Sequence, residues 1–190
     1  MKKITLSLLA LITIFAFAGC KEPSLEETLT VPVEKASDFT LSEGTWNLTQ
    51  EETASEEGLG SSSTIVKGTY VVTGTNPTSA INATVTSYIE KMVAETKEAY
   101  TEAKTYVIVM EQAGFTADYD EDNLTITITA NEATLKKLSD QGKITYEVFS
   151  KMLTDYLEDG YKITTNDNQT AIKMVLEEKG SKETVLLVKQ

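Results

Sequence analysis

The amino-acid sequence predicts an α+β fold, in which helices are inserted between the strands of an antiparallel β-sheet. Residues 124–129 alternate between apolar side chains and threonine, which is typical of a strand with one buried and one solvated face. Apolar residues between Ile81 and Ala103 recur mostly at steps of three and four, which favours an amphipathic helix. Residues 161–189 contain three strand-like runs separated by turn residues, and this pattern predicts an antiparallel meander.

The first 20 residues have the features of an export signal. Lys2 and Lys3 precede an apolar run over residues 4–17, which is shorter than the roughly 20 residues that cross a bilayer. An Ala-Gly-Cys sequence follows at 18–20 and resembles the lipobox of bacterial lipoproteins.

The lipobox resemblance implies that residues 1–19 are a cleaved lipoprotein signal peptide. It also implies that Cys20 carries the lipid that anchors the protein to a bacterial membrane. We expect that membrane to be the outer membrane or the cell surface rather than the inner membrane. In the alternative interpretation, Cys20 is an ordinary residue beside a conventional cleavage site.

The composition removes several classes of function. The formal net charge is −12, and the chain has no arginine and no histidine, so it lacks the basic surface of a nucleic-acid-binding protein. Without histidine, and with Cys20 as the one cysteine, the chain cannot form a Ser-His-Asp or Cys-His catalytic site. Carboxylate catalysis, lysine chemistry and oxygen-ligand metal binding remain. We expect no enzyme, metal or cofactor, because no pair of acidic residues is singled out by its spacing.

The mature chain divides into a tether and one globular domain. Residues 20–42 are charged, contain Pro23 and Pro32 and show no sustained period, as expected of a tether. Residues 43–190 have the length of a single domain.

The predicted elements of this globular domain, in chain order, are strands at 44–49 and 64–73 around a mobile loop at 51–63, a helix from 81 to 103 with Glu90 on its solvated face, a hairpin of 115–119 and 124–129, helices at 133–140 and 144–157, and strands at 161–165, 170–177 and 183–189. Residues 106–110 fit either the end of the long helix or a strand.

Both ends of the globular domain carry a family resemblance. Gly-Thr-Trp at 44–46 opens the first strand and residues 184–189 form the last, and this combination resembles small bacterial lipocalin-like lipoproteins of the calycin type. The resemblance implies that the sheet curls toward a β-barrel. It also implies a basic residue packed against Trp46, for which Lys182 and Lys189 are the candidates.

An acidic segment at 118–123 resembles the start of a calcium loop. Carboxylates stand at Asp118, Asp120 and Asp122, which is the alternation that such a loop requires. The pattern also needs glycine at 123 and glutamate at 129, where the chain has asparagine and threonine. An acidic hairpin turn explains the segment better.

The lipocalin resemblance implies a membrane-anchored module that binds a small apolar or amphipathic ligand, with Trp46 and Tyr70 lining the site. The alternative for these two side chains is core packing, since large inward-facing aromatics bury area whatever the function. The first alternative for the protein is a surface or periplasmic lipoprotein that interacts with other proteins. The second alternative is a carboxylate enzyme. A roomy interior would indicate ligand binding, a filled core an interaction protein, and paired carboxylates in a cleft an enzyme.

Overall fold

Ten β-strands within residues 25–190 hydrogen-bond into one antiparallel sheet. These are the residues that the computed structural model describes, apart from the side chains of Glu26 and Glu27. In chain order the elements are α1 (Leu25–Thr28), β1 (Val31–Pro32), a 3₁₀ turn (Ala36–Asp38), β2 (Gly44–Glu56), β3 (Gly60–Val72), β4 (Ala80–Ala94), α2 (Lys97–Gln112), β5 (Phe115–Asp120), β6 (Thr125–Ala130), α3 (Glu132–Gln141), β7 (Lys143–Thr145), α4 (Tyr146–Glu158), β8 (Lys162–Thr165), β9 (Ala171–Glu178) and β10 (Ser181–Lys189).

The sheet is open. Its strand order is β1-β8-β9-β10-β2-β3-β4-β6-β5, with β7 paired to the start of β4. The antiparallel α+β class and the C-terminal meander β8-β9-β10 are confirmed. The barrel implied by the lipocalin resemblance is not closed, because the outermost strands β1 and β5 do not pair with each other. Strand β1 has only two residues, and one of them is proline, which donates no ladder hydrogen bond.

Strand β4 occupies most of the segment for which the sequence predicts a helix. Residues 80–94 are extended, and α2 begins only at Lys97. The helix starts after Thr96, whose side chain accepts a hydrogen bond from the backbone N–H of Ala99. Residues 106–110 continue this helix. The helix prediction was therefore wrong for residues 81–94 and right from residue 97 onward.

A β-bulge at Thr86 explains the error. Val85 lies opposite Gly68, whereas Ser87 lies opposite Lys67, so β4 has one residue more than β3 at this point. An extra residue shifts the inward and outward alternation of a strand by one position. The inward-facing residues on the two sides of the bulge therefore fall at helical steps of four, three and four: Ile81, Val85, Tyr88 and Met92.

The loop predicted at 51–63 is instead part of a long hairpin. Strands β2 and β3 pair without interruption from Gly44 opposite Val72 to Glu56 opposite Gly60. A three-residue turn joins them, in which Gly58 has a φ of +82°, a conformation that glycine adopts without a steric penalty. The polar residues that indicated a loop thus belong to strands, apart from those of the turn at 57–59.

Two apolar cores lie on the same face of the sheet, which we call the core face. Val66 packs against the first core and lies directly opposite Tyr88, which packs against the second. The first core lies under α4 and includes Trp46, Leu48, Tyr70, Phe149, Leu153, Met174 and Leu187. The second lies under α2 and includes Tyr100, Val107, Met110, Ile126 and Ile128.

The shorter predicted elements are largely confirmed. The hairpin of β5 and β6 is present, and its turn is closed by Asp120, whose carboxylate accepts hydrogen bonds from Asn123. The helices predicted at 133–140 and 144–157 correspond to α3 and α4, although Ile144 belongs to β7. Helix α3 lies beside the middle of β4, where Ser139 Oγ accepts a hydrogen bond from the Val85 N–H at 2.7 Å.

The predicted tether at 20–42 is too long. Leu29, Val33, Phe39 and Leu41 are all buried, with Leu41 fully so. Val33 also donates its N–H to the backbone carbonyl of Ile163 at 2.9 Å. These four apolar residues have no regular spacing, so the sequence pattern did not reveal them, but residues 29–41 belong to the folded domain.

The predicted signal peptide and Cys20 lie outside the described residues. Within residues 25–190, no helix has both the length and the hydropathy needed to cross a membrane.

Candidate functional site

Trp46 lies in the first core. Its side chain has no exposed surface, and its ring packs edge-on against Phe39 with 6.1 Å between ring centroids. The indole Nε1–H donates to the backbone carbonyl of Ser42 at 2.8 Å, which satisfies the polar group of a buried indole.

Of the two candidate lysines, Lys189 is the one beside Trp46. The two residues are directly opposite each other on β10 and β2. Lys189 Nζ donates to Ser42 Oγ at 2.8 Å, so Ser42 binds both side chains. Lys182 lies on the other face of the sheet, because it is an odd number of residues from Lys189, and it pairs with Glu177 at 2.6 Å.

Tyr70 lies opposite Trp46 and packs in the same core. The two are paired across β2 and β3, and Tyr70 is 4% exposed. The space beside it, lined also by Leu48, Phe149 and Leu153, has a volume of about 20 Å³. Small-molecule sites have volumes of about 300–1,000 Å³, whereas 20 Å³ holds about one water molecule. The interior around Trp46 and Tyr70 is therefore filled.

The structure brings together a set of carboxylates that the sequence did not single out. Glu183, Glu52 and Glu90 lie in one row across the sheet, since Glu183 is opposite Glu52, Glu52 is opposite Thr64 and Thr64 is opposite Glu90. The row runs along the core face where the first core meets the second. We call these three glutamates, with Gln50, Tyr88, Tyr106 and Tyr161 that bind them, the glutamate row.

Glu90 is the most buried member of the row. It is 8% exposed, and its Oε2 atom accepts hydrogen bonds from the hydroxyls of Tyr88 at 2.7 Å and Tyr106 at 3.2 Å. Burial raises the pKa of the Glu90 carboxyl, and the two tyrosine hydrogen bonds offset part of this increase. Burial and the nearby Glu90 charge likewise raise the pKa of Tyr88.

Glu183 and Glu52 form the other end of the row. The Glu183 carboxylate accepts hydrogen bonds from the Gln50 amide and the Tyr161 hydroxyl. Burial and then the Glu183 carboxylate raise the pKa of Tyr156, whose ring stacks near that of Tyr161, to about 12. Glu52, between Glu183 and Glu90 in the row, is exposed as a whole residue, but partial burial of its carboxyl, followed by the charges of Glu183 and Glu90, raises its pKa.

The bulge concealed this arrangement from the sequence. Placed on a helix, Glu90 falls on a solvated face, whereas on β4 the shift at Thr86 places it on the core face with Tyr88 and Met92. The alternation of Tyr88, Glu90 and Met92 was the available signal. Because their pKa values are raised, Glu90 and Glu52 can retain protons above the usual pH range of carboxylates. Within residues 25–190 no group of three or more acidic side chains is arranged to hold a metal ion.

The comparisons with known proteins give no relative. No family model, no curated protein and no solved structure matches this chain.

Proposed function

We propose that the protein is a lipid-anchored envelope lipoprotein whose folded domain binds a partner protein, and that it docks through the face of the sheet opposite the two cores. The observation that carries the proposal is a filled interior beneath a sheet whose other face leaves large apolar side chains exposed. Val71, Ile89 and Val93 on this second face are 42%, 40% and 37% exposed, although they stand on strands β3 and β4 in the middle of the sheet. Apolar groups exposed in such a position are typical of interaction surfaces.

The second face, which we call the open face, consists of rows of residues that lie opposite one another on neighbouring strands. The first row is Lys162, Val175, Thr184, Glu51, Ile65 and Ile89; the second is Lys173, Leu186, Thr49, Lys67 and Ser87; the third is Glu177, Lys182, Thr53, Ser63 and Lys91. An open groove of about 580 Å³ runs along the third row, at the ends of the hairpins.

The open face is large enough for a protein partner. Strands β2 and β3 have 13 residues each, a length of about 43 Å, and the five strands from β9 to β4 span roughly 20 Å. The product is roughly 800–900 Å², which is about one side of a standard protein interface.

The charge of the open face indicates an acidic partner surface. From β8 to β4 the three rows contain five lysines and two glutamates, and the third row continues through Thr127 to Asp118 on β5. Lysines therefore outnumber acidic residues on this face, while the whole chain has a net charge of −12. Lys182 forms an ion pair with Glu177 within the third row. Lysine ammonium groups between β-branched apolar side chains favour a partner that presents carboxylates around an apolar centre.

Site-specific photo-crosslinking in the native host tests this proposal. A photoreactive amino acid is placed at Ile89 on the open face, or at Val148, which is 44% exposed on α4. We expect a cross-linked protein of defined mass and acidic surface with the Ile89 probe only. The double variant K67E/K173E should abolish that product, and the control K136E/K137E on α3 should retain it. Equal products at both positions, no product at Ile89, or a product that survives K67E/K173E would overturn the proposal.

A further inference from the structure

Helix α2 contacts the sheet through an apolar patch and through a polar contact. The apolar patch is formed by Tyr100, Val107 and Met110, which pack in the second core. The polar contact is the hydrogen bond from the Tyr106 hydroxyl to Glu90 Oε2 at 3.2 Å. A carboxylate of the sheet is thus covered by the helix that it binds.

The groups that face Glu90 come from every element around it. On its own strand, Tyr88 donates to it at 2.7 Å. On β3 the opposite residue is Thr64, and beyond it stands Glu52 on β2 with Glu183 next in the row on β10. On β6 the opposite residue is the apolar Ile128, and α2 contributes Tyr106. The charged groups of this set are both carboxylates, neither of which can compensate an ionised Glu90, and the Glu90 charge contributes to the raised pKa of Glu52.

We propose that α2 is a pH-linked element of the fold, which packs more tightly against the sheet when Glu90 is protonated and more loosely when Glu90 is ionised. When α2 moves away, Glu90 becomes hydrated and its charge is less costly. When Glu90 is neutral, its carboxyl still accepts the tyrosine hydrogen bonds without an uncompensated buried charge. The docked state therefore binds the proton more tightly than the undocked state.

The direction follows from this difference in proton affinity. Burial raises the pKa of Glu90 in the docked state above its usual value. Between the undocked and docked pKa values the docked state holds more protons, so docking weakens as the pH rises through this interval. One linked proton changes the docking equilibrium by at most tenfold per pH unit. The proposal is independent of the partner that binds the open face.

Hydrogen exchange of the full-length chain between pH 5 and pH 8, corrected for the intrinsic exchange rate, tests the proposal. The ratio of protection in α2, at Val107 and Met110, to protection in α4, at Phe149 and Leu153, separates local undocking from global unfolding. We expect this ratio to rise as the pH falls, by up to tenfold per pH unit. A ratio that is constant from pH 5 to pH 8 would overturn the proposal.

Three variants identify the group responsible. Glu90→Gln retains an oxygen that accepts hydrogen bonds but cannot ionise, so its ratio should not change with pH. Glu98→Gln, at an exposed position in the first turn of α2, should behave like the parent chain. Tyr106→Phe removes a hydrogen bond that lowers the pKa of Glu90, so its transition should move to higher pH. A pH dependence that persists in Glu90→Gln, or an unshifted transition in Tyr106→Phe, would contradict the assignment.

Discussion

Glu90 shows how a single residue can combine a stabilising contact with an electrostatic cost. Its side chain joins the sheet to α2 through Tyr106 and is fixed on β4 by Tyr88. The same burial makes its ionised form unfavourable. Retaining a carboxylate at this position costs stability at neutral pH, and glutamine would avoid that cost while keeping the hydrogen-bond acceptor.

We therefore expect Glu90→Gln to raise the free energy of unfolding at pH 7 and to leave it almost unchanged at pH 4. The contribution of a glutamate whose folded pKa is raised is fully present below its unfolded value of 4.5 and is lost as the pH rises through the folded value. Urea denaturation of both chains at several pH values measures the difference. A variant less stable than the parent at pH 7 would show that the charge of Glu90 is favourable where it stands.

Cys20 gives a second prediction at the residue scale, independent of the fold. If it carries diacylglycerol and an N-terminal acyl chain, the buried methylenes contribute about 0.8 kcal/mol each, which makes the anchoring permanent. Cys20→Ser should move the protein from the detergent phase to the aqueous phase in Triton X-114 partitioning. If the variant stays in the detergent phase as completely as the parent, the lipid-anchor prediction is wrong.

At the scale of elements, strand β4 shows how much the sequence could reveal. Strict alternation predicted β6, and strand-like runs between turn residues predicted the β8-β9-β10 meander. In these regular strands the sequence has the same period of two residues as the side chains that alternate between the faces of the sheet. In β4 the bulge at Thr86 adds a residue, so the sequence period is no longer two although both halves are strand. A pattern rule cannot locate a bulge, because the bulge is defined by pairing with β3.

Deletion of Thr86 should be tolerated. Without it, Val85, Ser87 and Tyr88 alternate regularly, and both halves of β4 keep their inward residues on the core face. We expect cooperative unfolding with a loss of no more than about 1–3 kcal/mol.

Deletion of Lys91 is the matched control. It moves Met92 away from the core face, so the loss should exceed about 4 kcal/mol. Chemical denaturation followed by circular dichroism compares the two deletions. If both cost the same, the position of the bulge does not determine which residues enter the cores.

The segment before β2 gives another prediction at this scale. Leu29, Val33, Phe39 and Leu41 are buried, and burying one large apolar side chain contributes about 1.5–3 kcal/mol. A chain that starts at residue 43 should therefore lose at least about 5 kcal/mol relative to one that starts at residue 25, which is comparable to the whole stability of many domains. Thermal unfolding compares them, and equal melting temperatures would restore residues 29–41 to the tether.

For the molecule as a whole, the filled interior argues against a small apolar ligand at Trp46 and Tyr70. The space beside Tyr70 is about 20 Å³, and Trp46 has no exposed surface. Titration with lipids and hydrophobic probes should leave the fluorescence of Trp46, the one tryptophan, unchanged. A saturable change in emission that K67E/K173E does not affect would favour the ligand-binding interpretation instead.

The candidate site was less predictable than the fold, for a physical reason. Trp46 and Tyr70 could be recognised as inward-facing because each stands in a locally regular strand. The three glutamates of the glutamate row stand on β10, β2 and β4, and they come together only through the registers of β10 with β2, of β2 with β3 and of β3 with β4. Local patterns contain no information about register between distant strands.

The pairing of β10 with β2 also determines the order in which the chain can fold. The second core draws its residues from 88–128, a continuous stretch with short loops, whereas the first core needs Trp46 and Leu187 together. Contacts between residues far apart in sequence form late, because closing a long loop costs chain entropy before the contact repays it. The half of the molecule around α2 can thus form while the C-terminal strand β10 is still unpaired. The emission of Trp46 then reports the final step, in which β10 pairs with β2 and completes the first core.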